Sequence, residues 1–438
     1  MIYISLLILF ATLLLGVPVP VSFMASSLWL VFFGGVGGAG HPFSQLIPFG
    51  YSQMASVPLI AILLFIMAGG LMERGKIGEK IINLVEVFLG RIKGGLGVVG
   101  VVSCGLFGSV VGAAVATLSC IGPIMFKRLE QAGYPKGYSS ALMANAALLG
   151  LLLPPNATLI IFAWISNVSV LAAFLSTVSA GILMIFLLSL TNIWMLRDNK
   201  TIVVAEKRTS AEKWSLFKHH GLIAIPALLL PFIILGSIYG GIMTPTEASA
   251  IAVVYAIPVG MFVYRSLTLR DIWECLIESG VTTGVIMAML FSVSMLGRLY
   301  LLEDLPGTAM VFFTSVSENR WVIMGMINIF LIVLGTVMDD ISVIVLTTPI
   351  LMPVIQELGF NPVHFAAIVG VNTALGCIMP PCAPVLYLSG RLSNTPIDQI
   401  IRPTLWFILL CWVPVLIIVT YFPSFALFLP HVVLGVPW

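Results

Sequence analysis

The distribution of charge constrains this 438-residue chain more than any motif does. No Asp, Glu, Lys or Arg precedes Glu73, none lies between Lys136 and Arg197, and none follows Arg402. Apolar runs of about 20 residues cross a bilayer as helices, which satisfy their own backbone groups. A soluble domain carries about a quarter of its residues as charges; here the share is 9%. The chain therefore reads as an all-α polytopic membrane protein whose solvent is a lipid bilayer. A net charge of +2 leaves no electrostatic footprint for a nucleic acid, and none is expected as partner. The six cysteines stand singly in apolar segments without a CxxC pair, which indicates neither disulfides nor zinc. No HExxH motif or nucleophile–base pair occurs at useful spacing, so the chain is not read as an enzyme.

The first 35 residues lack the basic segment that opens a signal peptide and are read as retained helices. Candidate spans cover about 2–16, 18–35, 53–72, 138–166, 170–196, 221–239, 246–264, 280–301, 363–390 and 397–422, with 138–166 and 363–390 broken. Between Glu73 and Lys93, Ile77, Ile81, Leu84, Val85 and Phe88 share one helical face. Lys76, Glu79, Lys80 and Glu86 occupy the other, the pattern of an interfacial helix. Glu247, one turn into a helix behind Thr244, is expected to cap it.

Cytoplasmic loops collect Lys and Arg. Clusters lie at Arg74 to Lys93, at Lys127, Arg128 and Lys136, and from Arg197 to Lys218, with smaller signals at Arg265, Arg270 and Arg391. All of them face the cytoplasm if both termini are periplasmic and the stretch 95–126 enters and leaves on one side. Glu303, Asp304 and Glu357 then face outward. A full crossing by 95–126 would put the strongest cluster on the wrong side, so a re-entrant hairpin is expected there.

The two halves also match at a nearly fixed offset. Pro123, Gly133, Gly150 and the pair Pro154-Pro155 recur 226 positions later as Pro349, Gly359, Gly376 and Pro380-Pro381. Gly122-Pro-Ile-Met parallels Thr348-Pro-Ile-Leu, and Gly16 to Pro20 parallels Gly241 to Pro245. An odd number of crossings per copy makes this an inverted-topology repeat, as in many secondary transporters. Residues 1–200 are the first repeat, with a hairpin near 95–126 and a broken helix at 138–166. A cytoplasmic linker spans 201–220. Residues 221–438 are the second repeat, with a hairpin near 321–355 and a broken helix at 363–390.

Two consecutive prolines remove two helical hydrogen bonds. The carbonyls they free at bilayer depth need a partner that lipid does not offer. Opposite them, Gly105, Gly108, Ser109, Gly112, Ala113, Ala114, Ala116 and Thr117 crowd the first hairpin with small residues. The second carries Gly335-Thr336 and Asp339-Asp340, where an Asp at such depth marks function by default. Asp339 either helps to neutralise a cation or caps a turn at a cavity wall. Hydroxyl-bearing hairpins facing unwound helices suit hard cations, sodium above all. A proton relay would have only Asp339, Asp340 and His364 near the breaks. No Lys or Arg stands in either break.

At these paired motifs the sequence resembles the large membrane subunit of tripartite ATP-independent periplasmic (TRAP) transporters. The residues that carry the likeness are Gly108 to Thr117, Leu149 to Pro155, Gly241 to Ala248, Met338-Asp339, Pro349 to Pro353 and Gly376 to Pro381, in family order along nearly the whole chain. The resemblance implies an elevator-type ion-transporter fold in the bacterial inner membrane, in which hairpins and broken helices move against a scaffold. It implies sodium as coupled ion at two or more sites, a small membrane subunit, and a periplasmic binding protein that delivers a small organic acid. A C4-dicarboxylate or a sugar acid such as sialic acid is the kind of cargo implied, and its carboxylate is then expected between the breaks, near Asn156 and Thr158, with Asn372 opposite and Asp339 close by. Family ion sites carry over to Ser109, Gly150, Leu153 and Pro155, and to Gly335, Thr336, Gly376, Met379 and Pro381. The chain departs from the family pattern at Asn156-Ala157-Thr158, where Ser-Ile is common, and at Cys382-Ala383-Pro384, where Val-Gly is common. The alternative is a stand-alone sodium–dicarboxylate symporter or an ion antiporter of related fold.

Overall fold

The computed structural model describes residues 1–35, 40–89, 93–197, 210–380 and 383–437, with backbone alone at 43, 45 and 210–220. Every regular element among the described residues is a helix. Eight of these helices are long and apolar enough to cross a membrane, or nine if one bent pair counts as a single span.

In the first half, α1 (Ile2–Leu14) and α2 (Val19–Phe33) follow the expected pair of spans. The short α3 (Phe43–Met54) was not anticipated, and α4 (Val57–Arg74) starts four residues later than the expected 53, with Pro58 in its first turn. In α5 (Ile77–Leu89), Ile77, Ile81, Leu84 and Val85 are buried as their spacing predicts. Phe88, expected with them, is 61% exposed, while Ile82 and Val87 are covered. Both α6 (Gly95–Val111) and the later α12 pack against α5, so its buried arc is wider than, and rotated from, one amphipathic stripe.

Next, α6 and α7 (Ala114–Gln131) are joined by Gly112 and Ala113 alone. They fold back on each other: the Gly97 amide at one end of α6 donates to the Tyr134 hydroxyl beyond the far end of α7, at 3.2 Å. The first broken helix runs through α8 (Lys136–Ala147) and α9 (Leu149–Leu152), then bends by 40° into α10 (Ala157–Ser166). After it comes α11 (Val170–Met195).

The second half opens with α12 (Ser210–Tyr239) and α13 (Pro245–Pro258). Thr244 and Glu247 form a reciprocal capping box, as expected. The expected span 280–301 is in fact α14 (Leu269–Leu302), capped by Thr268 and Asp271. At 34 residues it is about 51 Å long, well beyond the ~30 Å apolar layer. Arg270, Asp271, Glu274 and Glu278 interrupt the apolar run, so hydropathy alone starts the span only at 280. The short α15 (Leu305–Val316) follows, again unanticipated. A second hairpin, α16 (Arg320–Val337) and α17 (Asp340–Glu357), turns on Met338 and Asp339. Here too the far ends meet, with the Trp321 and Phe360 rings 5.1 Å apart. Tyr134 and Phe360, which close the two hairpins, stand at the repeat offset. The second broken helix is α18 (Pro362–Gly376) and α19 (Pro384–Ser393). A π turn joins α20 (Ile397–Phe407) to α21 (Val413–Tyr421), and α22 (Pro423–Leu434) ends the described chain.

Reciprocal contacts place the hairpins. Each first arm packs on the broken helix of its own half, α6 on α9 and α16 on α18. Each half-helix beyond a break packs on the second arm of the other hairpin, α10 on α17 and α19 on α7. A second set of contacts runs from α4 to α13 and from α14 to α2, α3 and α4.

Candidate functional site

Glycine fixes how closely hairpins and breaks approach. A Cβ placed on Gly108 would lie 2.7 Å from the Gly150 Cα, and one on Gly335 would lie 3.0 Å from the Gly376 Cα. The obstructing atoms are backbone, so no rotamer relieves the clash. Gly112 ends α6 with φ +65, which favours glycine, and its Cβ would stand 2.1 Å from the Pro155 carbonyl oxygen. The first hairpin tip thus rests on the first Pro-Pro break.

Pro154 and Pro155 offer no N–H to the carbonyls of Gly150 and Leu151 four residues earlier. Asn156 answers half of that deficit. Its Nδ2 donates to the Leu151 carbonyl at 2.5 Å, while its Oδ1 accepts from the Leu159 amide at 2.7 Å and caps α10. The Gly150 carbonyl keeps no helical donor. The second break closes differently: the Met379 amide donates to the Gly376 carbonyl at 3.1 Å and the Val385 amide to the Cys377 carbonyl at 3.3 Å. The two breaks therefore share position but not hydrogen bonding.

Both tips and both breaks open on one cavity of about 440 Å³. Its wall includes Gly112 to Ala116, Leu151 and Thr158 from the first half, and Asp339 to Ile341, Cys377 and Val385 from the second. The opposite side is contributed by α4 and α14. Four carboxyl groups line it, those of Glu73, Glu278, Asp339 and Asp340, and no Lys or Arg stands among its described lining.

The expected cargo residues divide between wall and support. Thr158 lies on the wall, and its hydroxyl donates to Asp340 Oδ2 at 3.0 Å, linking the first break to the second hairpin. Asp339 also lies on the wall, and it caps α17 by accepting from the Ser342 amide at 3.2 Å and from the Ser342 hydroxyl. Of the two readings of Asp339, this position is that of a capped turn at a cavity wall. Asn156 and Asn372 are fully buried outside the described lining. Asn372 Nδ2 donates to Asn328 Oδ1 at 2.7 Å, and Asn328 in turn to the Thr420 hydroxyl at 2.9 Å. The Asn372 Oδ1 is buried without a hydrogen-bond partner.

Among the expected ion ligands, Ser109 and Thr336 hold equivalent places one residue after Gly108 and Gly335. Their hydroxyls donate to the carbonyls of Leu106 and Val333, at 2.8 and 2.7 Å, leaving the oxygen lone pairs free to accept. Gly150, Leu153 and Pro155 sit at the first break, and Gly376 and Met379 at the second. Pro381, like Cys382, lies outside the described residues. His364 is buried against the Val419 carbonyl at 2.7 Å, outside the described lining of the cavity.

Sequence reasoning missed Glu73 and Glu278 on the wall. Glu73 stands at the edge of the interfacial helix and Glu278 just ahead of the expected span 280–301, so neither reads as buried at a site. The i, i+4, i+8 spacing of Arg270, Glu274 and Glu278 was the signal that α14 begins earlier.

A family model described as tripartite ATP-independent periplasmic transporter, DctM component, matches residues 6–425. The C4-dicarboxylate TRAP transporter large permease protein DctM of Pseudomonas aeruginosa is 32% identical over 85% of this chain and 86% of its own. The sialic acid TRAP transporter large permease protein SiaM of Vibrio cholerae is 30% identical over 96% of both. The isethionate TRAP transporter permease protein DctMQ of Oleidesulfovibrio alaskensis is 30% identical over 95% of this chain, which spans only 64% of that relative's length. In fold, the chain resembles the YdaH transporter of Alcanivorax borkumensis, with a TM-score of 0.65 at 16% identity over 94% of this chain and 98% of that one. Fold, helix content and family match agree: this multi-pass membrane protein belongs to the DctM family, the large permease subunits of TRAP transporters.

Proposed function

We propose that the protein is the large subunit of a sodium-coupled importer of a small organic acid in the bacterial inner membrane. The cargo class is a C4-dicarboxylate or a sugar acid such as sialic acid, as in the names of the relatives. A periplasmic binding protein delivers it. A small membrane subunit assembles with this chain; the DctMQ relative, longer than this chain, fits that arrangement. Residues 1–200 and 221–438 are inverted repeats, both hairpins are re-entrant, and hairpins with broken helices move as an elevator against α4 and α14.

One observation carries the reading: two hairpins and two broken helices, paired through Gly108/Gly150 and Gly335/Gly376, open on a single cavity. An organic anion entering a space with four carboxyl groups must arrive with cations. Sodium at Ser109, Gly150, Leu153 and Pro155, and at Gly335, Thr336, Gly376, Met379 and Pro381, would supply that charge next to the cargo. The Gly150 carbonyl without a helical donor and the unpartnered Asn372 Oδ1 are oxygens of the kind a hard cation takes. Thr158 and Asp339 meet the cargo at the wall, while Asn156 and Asn372 hold the breaks in shape behind them. Uptake into proteoliposomes carrying the complete transporter tests this. It should require the binding protein and an inward sodium gradient, and should vanish with choline. Full uptake in choline under a proton gradient would refute sodium coupling.

A further inference from the structure

We infer that Arg74 is a cargo-binding residue, held in reserve by Glu278 and released to the cargo carboxylate by exchange of partners. This rests on the proposed import of an organic anion into the cavity between hairpins and scaffold. Glu278 lines that cavity, and Arg74 follows directly on Glu73, which lines it too. The guanidinium is divided between two carboxylates, with a third, longer contact from Nη1 to the Asp271 carbonyl at 3.5 Å. Its Nη1 donates to Glu274 Oε2 at 3.0 Å, and its Nη2 to Glu278 Oε1 at 2.7 Å.

The two acceptors differ in a way that suits the exchange. Glu274 is anchored a second time, by Arg270 Nε at 2.9 Å, and so fixes Arg74 in place. Among the described residues Glu278 has no second cation in its hydrogen bonds, and its side chain is 70% exposed, against 24% for Arg74. Such an open ion pair is worth only about 0–1 kcal/mol. A carboxylate arriving in the cavity can therefore take the Nη2 donor at little cost, because it replaces one carboxylate by another. The released Nη2 then donates a charge-assisted hydrogen bond to a cargo carboxylate oxygen in place of Glu278. Exchange also keeps binding weak enough for release, which a permanently free cation in an otherwise acidic cavity would not. The cationic end of the site then lies on the scaffold, opposite the hairpin tips.

The ion-pair role and the binding role predict different outcomes. If Arg74 and Glu278 only brace α4 against α14, removing either partner harms the protein alike. If Glu278 competes with cargo, its removal helps binding and removal of Arg74 hurts it. The test follows modification of Arg74 by phenylglyoxal in the complete transporter in membranes, with succinate as probe anion and peptide mass spectrometry as readout. Succinate should protect Arg74, and in Glu278→Gln the half-protecting concentration should fall several-fold. In uptake, Arg74→Gln should raise the apparent KM by about tenfold or more, the value of one charge-assisted contact. No protection in either protein, or a higher half-protecting concentration in Glu278→Gln, would overturn the exchange. Protection needs no transport, so a failure of the import reading would show separately, as protection without uptake.

Discussion

A Cβ built on Gly376 would stand 2.6 Å from the Gly335 Cα and 2.8 Å from its carbonyl carbon. The second hairpin and the second broken helix thus touch backbone to backbone, with no side chain between them. Gly108 and Gly150 repeat the arrangement in the first half. Contacts of this kind bring main-chain carbonyls together from two elements, which is how a helical protein builds an oxygen-lined site without spending charged residues on it.

Gly376→Ala should therefore push α18 away from α16. Overpacking against rigid atoms costs ~1–3 kcal/mol, so the variant should melt lower in detergent and lose uptake. Gly280→Ala in α14 is the control, since nothing lies within 4 Å of its Cβ. Alanine is the better helix former by roughly 1 kcal/mol, so that variant should match or exceed wild-type stability. Equal melting of Gly376→Ala and wild type would mean that the close approach does not exist.

Asn156 and Thr158 should separate by readout. Asn156→Ala removes a helix cap, at a cost of about 0.5–2 kcal/mol, and leaves the Leu151 carbonyl bare. It should lower stability and transport together. Thr158→Val keeps the shape but removes the donor to Asp340 from the cavity wall. Stability should barely change, while apparent cargo affinity weakens about tenfold. Unaltered apparent affinity in Thr158→Val would place the cargo elsewhere.

What the sequence revealed and what it hid have physical reasons. Pro-Pro pairs, clustered glycines and charge-free runs act locally, so breaks, tips and most spans were legible as strings. The capping box at Thr244 and Glu247 was legible for the same reason. The start of α14 was not, because hydropathy averages four charged residues into a loop when they in fact share the helix surface around Arg74. Nor was the scaffold side of the cavity, since the approach of Arg74 to Glu278 joins elements about 200 residues apart in the chain. Asn156 was read as a cargo ligand from its place after the prolines. Its burial and two bonds to its own break depend on how the chain bends there, by 40°, an angle that the Pro-Pro pair does not set.

Acid should loosen one end of the molecule first. The Glu303 carboxylate at the end of α14 accepts from the Gly35 amide and bonds His41 Nε2 at 2.8 Å. Burial alone would raise its pKa, but the Gly35 and His41 hydrogen bonds outweigh it and hold the carboxyl below the usual range. A depressed carboxylate stabilises the fold above its unfolded value, ~4.3, and that contribution is lost as pH falls through the lower folded value. Wild type should lose more melting temperature than Glu303→Gln between pH 6 and 3. Parallel losses in the two proteins would show that the contact contributes nothing.

The proposal that the first hairpin is re-entrant makes the strongest demand on topology. Lys93 Nζ donates to the Arg197 carbonyl at 2.7 Å, joining the entry of the first hairpin to the end of α11. Arg128, near its exit, donates to Glu86 at 2.6 Å and to Asn83 at 2.6 Å on α5. The Ser266 hydroxyl donates to the Gly75 carbonyl at 2.7 Å, and the Ser140 hydroxyl to Ser393 at 2.7 Å. Every basic cluster among the described residues is thus tied to another, as a common cytoplasmic side requires. Glu303 pairs instead with His41, away from them all. Single cysteines at Lys93, Lys127 and Arg197 should react with an impermeant maleimide only in inverted vesicles, and cysteines at Glu318 and Glu357 only in right-side-out ones. Labelling of positions 93 and 127 from opposite sides would make α6 and α7 a full crossing, and the inverted repeat would fall with it.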